Sequence, residues 1–311
     1  MTHHLFGSVI TECGVAANNR GETDGNISQL QKISCSEGEY TTVSAEAIRF
    51  KLRYLWQKSS LETNRTWDDA DNVNSWKDQD FKDNGQKYID DDVLGFMNAK
   101  AAGEDNPTDT DPEETGKKRK SKAKGTSKVR RGALEISRAI SLSPFYGDIT
   151  FNAASGAKDK NSLYATEVHR TRYQYSFGLT PGYLNDASRI LPVINGIISL
   201  GGVAGNQSRF FFDFSPEIIV LRWTHDMAHR FMNCFAQNPE DEGLSISKLL
   251  NKVKSGDIDP DELWIGGTAP AGCTELKKQL DELEELGAGV FAGVKAAADD
   301  IRGRIQDDLD L

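Results

Sequence analysis

Three stretches of the chain have residue types and spacing suited to chemistry. The first is His225-Asp226-Met227-Ala228-His229. Two histidines four residues apart share one face of a helix, and the acid beside the first gives a loose likeness to a zinc-protease helix. The likeness fails at that acid, since aspartate shortens the reach of a general base, and no third ligand follows. Ordinary helix histidines beside Arg222 and Arg230 are expected instead. The second stretch is Asn18-Asn19-Arg20-Gly21, with Arg49 and Arg53 further on. Amide and guanidinium donors suit phosphate and sugar oxygens, the sequence-independent part of nucleic-acid recognition. The third is Gly201-Gly202-Val203-Ala204-Gly205-Asn206-Gln207-Ser208-Arg209, whose glycines let backbone amides approach an anion closely. There is no serine elbow, no Walker loop, no G-x-G-x-x-G and no cysteine paired by context with histidine. No catalytic residue, metal or cofactor is therefore expected.

The elements that must position these groups follow from periodicity. Leu5 to Ile10 reads as a strand, and Asn18 to Gly21 as the polar loop after it. Ser44 is a good N-cap, and Glu46 sits in the first turn, where the helix dipole favours a carboxylate. Ala45, Ile48, Leu52 and Leu55 make a buried stripe, while Glu46, Arg49 and Arg53 form a polar row. That row is either a solvated helix face or, with the loop, one wall of an anion cradle. Ala133 to Leu142 alternates as a strand, and a Pro144-to-Asp148 turn launches Ile149-Thr150-Phe151. Tyr173, Tyr175, Phe177 and Leu179 share one face of a central strand, with Arg172, Gln174 and Ser176 on the other. That aromatic stripe is expected in the core. Leu191 to Ser199 reads as a helix, and Phe210 to Phe214 as the strand after the glycine-rich loop.

LFGSVITECGVAANNRGETDGNISQLQK followed by YTTVSAEAIRFKLR resembles the DevR-type CRISPR-associated proteins, backbone subunits of type I Cascade complexes within the RAMP superfamily. RRGALEISRAISLSPFYGDITFNAASG, LYATEVHRTRYQYSFGL and GGVAGNQSR resemble the same family, in family order over roughly the first 225 residues. The resemblance implies an α+β fold with an RRM-like (ferredoxin-like) βαββαβ palm, here residues 1–57 and 129–235. Inserted helical fingers would occupy 58–128, and a β-hairpin thumb about 149–171. It implies a non-catalytic subunit that oligomerises head to tail along a CRISPR guide RNA and holds it for pairing with target DNA, beside other Cascade subunits. The residues it places at the RNA are Asn18, Asn19, Arg20, Ser44, Glu46, Arg49, Arg53, Arg131 and Arg138. From the thumb come Leu163, Val168, His169 and Arg170, with Tyr164 as a further wedge candidate; from the glycine-rich loop, Gly202, Asn206, Gln207 and Arg209. The rival within the superfamily is a type III-like subunit that cuts target RNA with a thumb-side aspartate, Asp148 or Asp159.

The formal net charge of −10 counts against nucleic-acid binding only if charge is evenly spread. It is not. Residues 68–114 and 281–310 are rich in acids, while positive charge gathers in 117–131 and in the motif blocks. Residues 103–127 lack large apolar side chains and read as a disordered acidic-then-basic linker. The tail, 236–311, reads as a helical extension: a helix over Leu244 to Lys254, a Gly/Pro-rich linker, then one helical stretch from Thr274 to Ile305. Cys13, Cys35, Cys234 and Cys273 form no C-x-x-C pair, which argues against a disulfide framework. No run approaches the ~18–20 apolar residues of a membrane span, and no signal peptide opens the chain, so a cytoplasmic protein is expected.

Overall fold

In the computed structural model, the described residues are 2–99, 127–153, 163–205, 207–237 and 243–311. The linker (but for Ser127), the thumb middle with Asp159, and Asn206 lie outside them. The main sheet has nine strands: β1 His4–Thr11, β2 Lys32–Cys35, β3 Gly38–Val43, β4 Leu134–Ile136, β5 Ala139–Ser141, β6 Tyr173–Leu179, β7 Pro216–Thr224, β8 Leu263–Gly266 and β9 Gly289–Phe291. Their order is β9-β8-β7-β1-β6-β5-β3-β2, with β4 also on β6. Only the β8–β9 pair is parallel. Five longer helices accompany them: α1 Ala45–Lys58, α2 Ile190–Ile198, α3 Ser247–Lys254, α4 Thr274–Glu285 and α5 Val294–Leu309.

Strand alternation decides what each face meets. Leu5, Val9, Tyr173, Tyr175, Phe177, Leu179, Ile219 and Leu221 point to the face covered by α1, α2 and α5. Each such side chain, fully buried, contributes about 1.5–3 kcal/mol of hydrophobic stabilisation. The Phe177 ring lies directly over Gly7, where a Cβ would fall 2.3 Å from the ring, so glycine is required for that strand pair to close. On α1 the apolar stripe is Ile48, Leu52 and Trp56. Ala45 and Leu55 are only half-buried, because Trp56 reaches over α2 and donates to Pro192 O (3.1 Å).

The opposite face is covered too. Ile10, Ile218 and Val220 pack there against Phe231, Phe235, Leu249, Leu250, Leu276 and Leu283. Ser8 and Ser176 meet across it at 2.8 Å, and Arg172 pairs with Glu217 at 3.0 Å.

Several expectations are corrected here. Ala133 to Leu142 is two strands, because the pairing on β6 slips by one residue between Ile136↔Phe177 and Ile140↔Gln174. Ser137 sits at the slip and bonds Ser176 with both its backbone N and its Oγ, the mark of a bulge. The tail is not only helical. Its linker forms β8, and Thr274 to Ile305 is divided into α4 and α5 by β9, so the tail extends the main sheet. Among the described residues, the 58–128 insertion carries one five-residue helix, Ile89–Val93, and the hairpins Arg65–Asp68/Val73–Trp76 and Gly95–Ala99/Ser127–Arg131. Phe210 to Phe214 is no strand beyond an isolated bridge from Asp213 to Gly202. His225 and His229 follow β7 in a loop and not in a helix. His225 Nδ1 lies 3.2 Å from Thr2 O and His229 Nε2 lies 3.1 Å from Gly7 O, so the two rings serve separate backbone carbonyls.

Of three consecutive buried aspartates, Asp90 and Asp92 fasten residues 58–128 to the rest of the chain. Asp90 accepts from Arg53 Nε (3.1 Å), Asn64 N (2.7 Å) and Arg65 N (3.1 Å). Asp92 accepts from Arg130, from Arg189 Nη1 (2.6 Å) and from Asn185 N (3.0 Å). Asp91 accepts from Asn64 Nδ2 at 2.8 Å, with no arginine hydrogen bond among the described residues.

Candidate nucleic-acid interface

The opening motif is not a loop. Asn19 begins a strand, Asn19–Asp24, which pairs with Ile27–Leu30. The latter lies parallel to Leu163–Glu167, itself antiparallel to Ile149–Ala153. The Ile149–Ala153/Leu163–Glu167 hairpin is thus the outer half of a four-stranded sheet whose inner half is the opening motif. Glu167 locks the two together, accepting from Leu30 N (2.7 Å) and Lys32 Nζ (2.8 Å). A second fastening pairs His169–Thr171 with Gly14–Ala16.

Asn18 is buried close to the hydroxyl of Tyr173. That hydroxyl lies 2.7 Å from Thr41 Oγ1, which lies 2.7 Å from His169 Nδ1. Burial pushes the Tyr173 phenol up to about 12 and the His169 imidazole down. Tyr173, Thr41 and His169 are therefore linked through one buried chain of hydrogen bonds. His169 faces that chain and not solvent, which corrects its assignment to a phosphate-facing position.

Gly205 lies against the same segment. Its φ is +70° and a Cβ there would fall 2.4 Å from Ala17 O, so glycine serves chain-to-chain packing at this position. Gln207 turns inward, donating to Ala204 O (2.5 Å) and accepting from Phe212 N (3.0 Å), which pins the glycine-rich loop. Gly202 holds the bridge to Asp213. Arg209 reaches across to the thumb, with its guanidinium 5.3 Å from the Tyr164 ring centroid and bonded to the Tyr164 hydroxyl. The three motif blocks meet at the base of the Ile149–Ala153/Leu163–Glu167 hairpin.

The polar row of α1 divides. Ser44 caps the helix, accepting from Ala47 N (3.3 Å). Arg53 is not on a shared groove wall; it is taken up by Asp90, so its convergence with Asn18 and Arg49 is corrected. Glu46 and Arg49 instead line a shallow open groove of about 460 Å³ with Arg131 and Glu135. There Arg49 donates to Leu94 O and Arg131 to Glu135. Arg138 lies apart from it, bonded to Thr42 Oγ1 (3.1 Å) and Gln31 Oε1 (3.3 Å). Arg170 is exposed, Val168 is half-buried with its N–H on Asp148 O, and the side chains of Asn19 and Arg20 lie outside the described set.

Leu163 is 59% exposed on this hairpin, but the most exposed apolar ring there is Phe151, at 79%. The hairpin register puts Ile149, Phe151 and Leu163 on one face. Phe151 was missed in the sequence because Ile149-Thr150-Phe151 alternates like any half-buried strand; the cross-strand register is the signal that finds it.

The α+β fold is shared with subunits of CRISPR RNA-guided surveillance complexes. A chain of one such complex, described as pre-nicking, aligns with a TM-score of 0.61 at 11% identity, covering 97% of this chain and 100% of that one. A chain of a second aligns with a TM-score of 0.56 at 13% identity, covering 96% and 98%. In sequence, the CRISPR-associated protein Cas7/Cst2/DevR of Myxococcus xanthus (strain DK1622) is 44% identical over 310 residues, 96% of this chain and 97% of that protein. The chain belongs to the Cas7/Cst2/DevR family of CRISPR-associated proteins. No family model matches it.

Proposed function

We propose that this chain is a non-catalytic backbone subunit that lines up in several copies along one CRISPR guide RNA, beside other subunits of a type I complex in the cytoplasm. It holds the guide for pairing with target DNA. Sequence specificity lies in the base pairs, and the protein contacts the guide backbone. The observation that carries this reading is the meeting of all three motif blocks at the root of a thumb hairpin with an exposed apolar face. The palm is read as RRM-like: β1, α1, β4 with β5, β6, α2 and β7 follow one another as βαββαβ, and the strands lie fourth-first-third-second. Residues 1–57 and 129–235 form this palm, 58–128 the inserted fingers, and 236–311 an extension that covers both palm faces.

Arg49 and Arg131 share the open groove and are assigned to guide phosphates, with Glu46 setting their spacing; Arg138, Arg170, Asn19 and Arg20 are assigned to the same strand. Replacing both Arg49 and Arg131 with alanine is expected to weaken RNA binding equally for unrelated guides. It should also reduce the salt dependence by about two released counterions. A loss confined to particular bases would contradict the assignment. Sequencing the RNA that co-purifies with the protein tests the reading as a whole, which requires repeat-derived guides. Complementary RNA with magnesium tests the rival: regularly spaced cleavage products, lost on changing Asp148 or Asp159, would replace the scaffold reading.

The thumb face is assigned to the displaced base and the adjacent copy. Phe151→Asp with Leu163→Asp should leave the monomer folded, since exposed substitutions shift stability by only about 0.5 kcal/mol. Growth on the guide should stop, giving one-to-one complexes where the parent gives arrays. Electron microscopy of both proteins on one guide decides it, and full-length arrays from the double variant would refute the assignment.

A further inference from the structure

The hairpin Arg65–Asp68/Val73–Trp76 leans on α1 at Trp67. The Trp67 ring meets Phe50 edge-on at 5.4 Å, and Gln57 bonds both the N–H (2.8 Å) and the C=O (2.9 Å) of Trp67. Register places Arg65 directly opposite Trp76, and the strand period of two puts Trp67 on their face. The Arg65 guanidinium lies 5.0 Å from the Trp76 ring centroid. Trp76 is 38% exposed and Phe50 37%, so an aromatic strip carrying one cation faces solvent.

Arg65 differs from Arg53 and Arg130 in having no carboxylate bonded to it. Arg53 is taken by Asp90 at 3.1 Å, and Arg130 by Asp92. Arg65 gives Asp90 only its backbone N–H, at 3.1 Å, and its guanidinium makes no hydrogen bond or ion pair among the described residues. Asp90 thereby seats Arg65 beside Arg53, one helical turn from Arg49. Burial pushes the Arg49 and Arg53 guanidinium groups down, and the Arg65 charge pushes the same way, against Glu46 and Asp90. The acids of the hairpin itself do not answer Arg65. Asp68 falls on the opposite face and accepts from Ala70 N (2.8 Å) and Asp71 N (3.3 Å), while Asp69 pairs with Lys58 at 2.8 Å.

We infer that the Arg65–Trp76 face is a second contact site for single-stranded nucleic acid, taking a base on Trp76 and the adjoining phosphate on Arg65. The strand it takes is the guide, continuing from the Arg49/Arg131 groove. The exposed remainder of an indole accepts the π-face of any base, and a guanidinium beside it takes a phosphate bidentately. Such a pair is indifferent to sequence, as a contact must be that meets a different guide in every complex. Continuity favours the guide: Arg49 lines the groove with Arg131, and Arg65 follows Arg49 and Arg53 along its far side. An acidic peptide would use the guanidinium but brings no group for the indole.

This inference rests on the guide reading, and its test separates the two. The full-length protein is titrated with short single-stranded oligouridylate, oligothymidylate and polyglutamate, following tryptophan fluorescence and the salt dependence of binding. Oligouridylate is expected to quench the parent, and Trp76→Phe should remove most of that quench. Arg65→Gln should weaken binding roughly fourfold at physiological salt. It should also reduce the slope of log affinity against log salt by about 0.7, the share of one phosphate on a single strand, and Arg65→Lys should keep that slope. All three variants should unfold with the parent. An unchanged slope in Arg65→Gln, or an undiminished quench in Trp76→Phe, overturns the site. Tighter binding of oligothymidylate than of oligouridylate overturns the guide as its occupant, and polyglutamate binding as tight as the RNA overturns nucleic acid altogether. If Arg65→Gln matches the parent while Arg49→Ala with Arg131→Ala loses binding, the guide reading stands and this site falls; a parent that binds no RNA sinks both.

Discussion

Asp92→Ala is expected to cost about 3–5 kcal/mol, among the largest losses any single substitution in this chain can cause. Asp92 is fully buried, and Arg130 and Arg189 both point at it from 15% and 11% exposed positions. Removing the carboxylate leaves two guanidinium groups in a low-dielectric site without their counter-charge. Arg189 keeps Gly85 O at 2.7 Å and Arg130 keeps Tyr183 O at 3.1 Å, so hydrogen bonds survive where charge compensation does not. Because Asp92 joins the hairpin strand Ser127–Arg131 to the start of α2, the insertion should loosen from the palm before the sheet unfolds. Urea titration with a probe on each part checks this. A loss below about 1 kcal/mol would show that the ion pairs do not hold the junction.

Its neighbour should behave in the opposite sense. Asp91 accepts no hydrogen bond from an arginine, and burial, then the Asp90 charge, raise its carboxyl from the ordinary value to about 7 against the weaker pull of Asn64 and Arg53. A carboxyl whose folded pKa lies above its unfolded value binds its proton more tightly in the folded state. Its contribution is therefore intact below the unfolded pKa near 4 and is lost as pH rises to about 7, with the full cost present above that. The separation of about three units corresponds to roughly 4 kcal/mol. Asp91→Asn keeps an acceptor for Asn64 Nδ2 and removes the charge. The variant should match the parent near pH 4 and exceed it by up to that amount at pH 8. Asp226, held down to about 2 mainly by Arg230, titrates below this window and is common to both proteins, so the difference between them isolates Asp91. A parent and variant that stay parallel from pH 4 to pH 8 would refute the assignment.

What the sequence determined on its own was whatever rests on local periodicity and local chemistry. The alternation of Tyr173, Tyr175, Phe177 and Leu179 places β6 in the core, since a period of two leaves no other face for four large side chains. Ser44 caps α1 and Ile190–Ile198 forms a helix for reasons contained in a few neighbouring residues. The motif blocks, too, were legible as blocks.

Tertiary structure decided what depends on partners distant in the chain. The one-residue slip at Ser137 is invisible until β6 supplies the register. Arg53 looks identical to Arg49 on a helical wheel; Asp90, 37 residues away, takes one and not the other. Gly205 and Gln207 look like anion-binding residues until Ala17 and Phe212 arrive beside them. The tail shows the limit most plainly. Leu263–Gly266 and Gly289–Phe291 are too short to declare themselves by periodicity, and they become strands because the edge of β7 offers unpaired N–H and C=O groups to a chain that must satisfy its own.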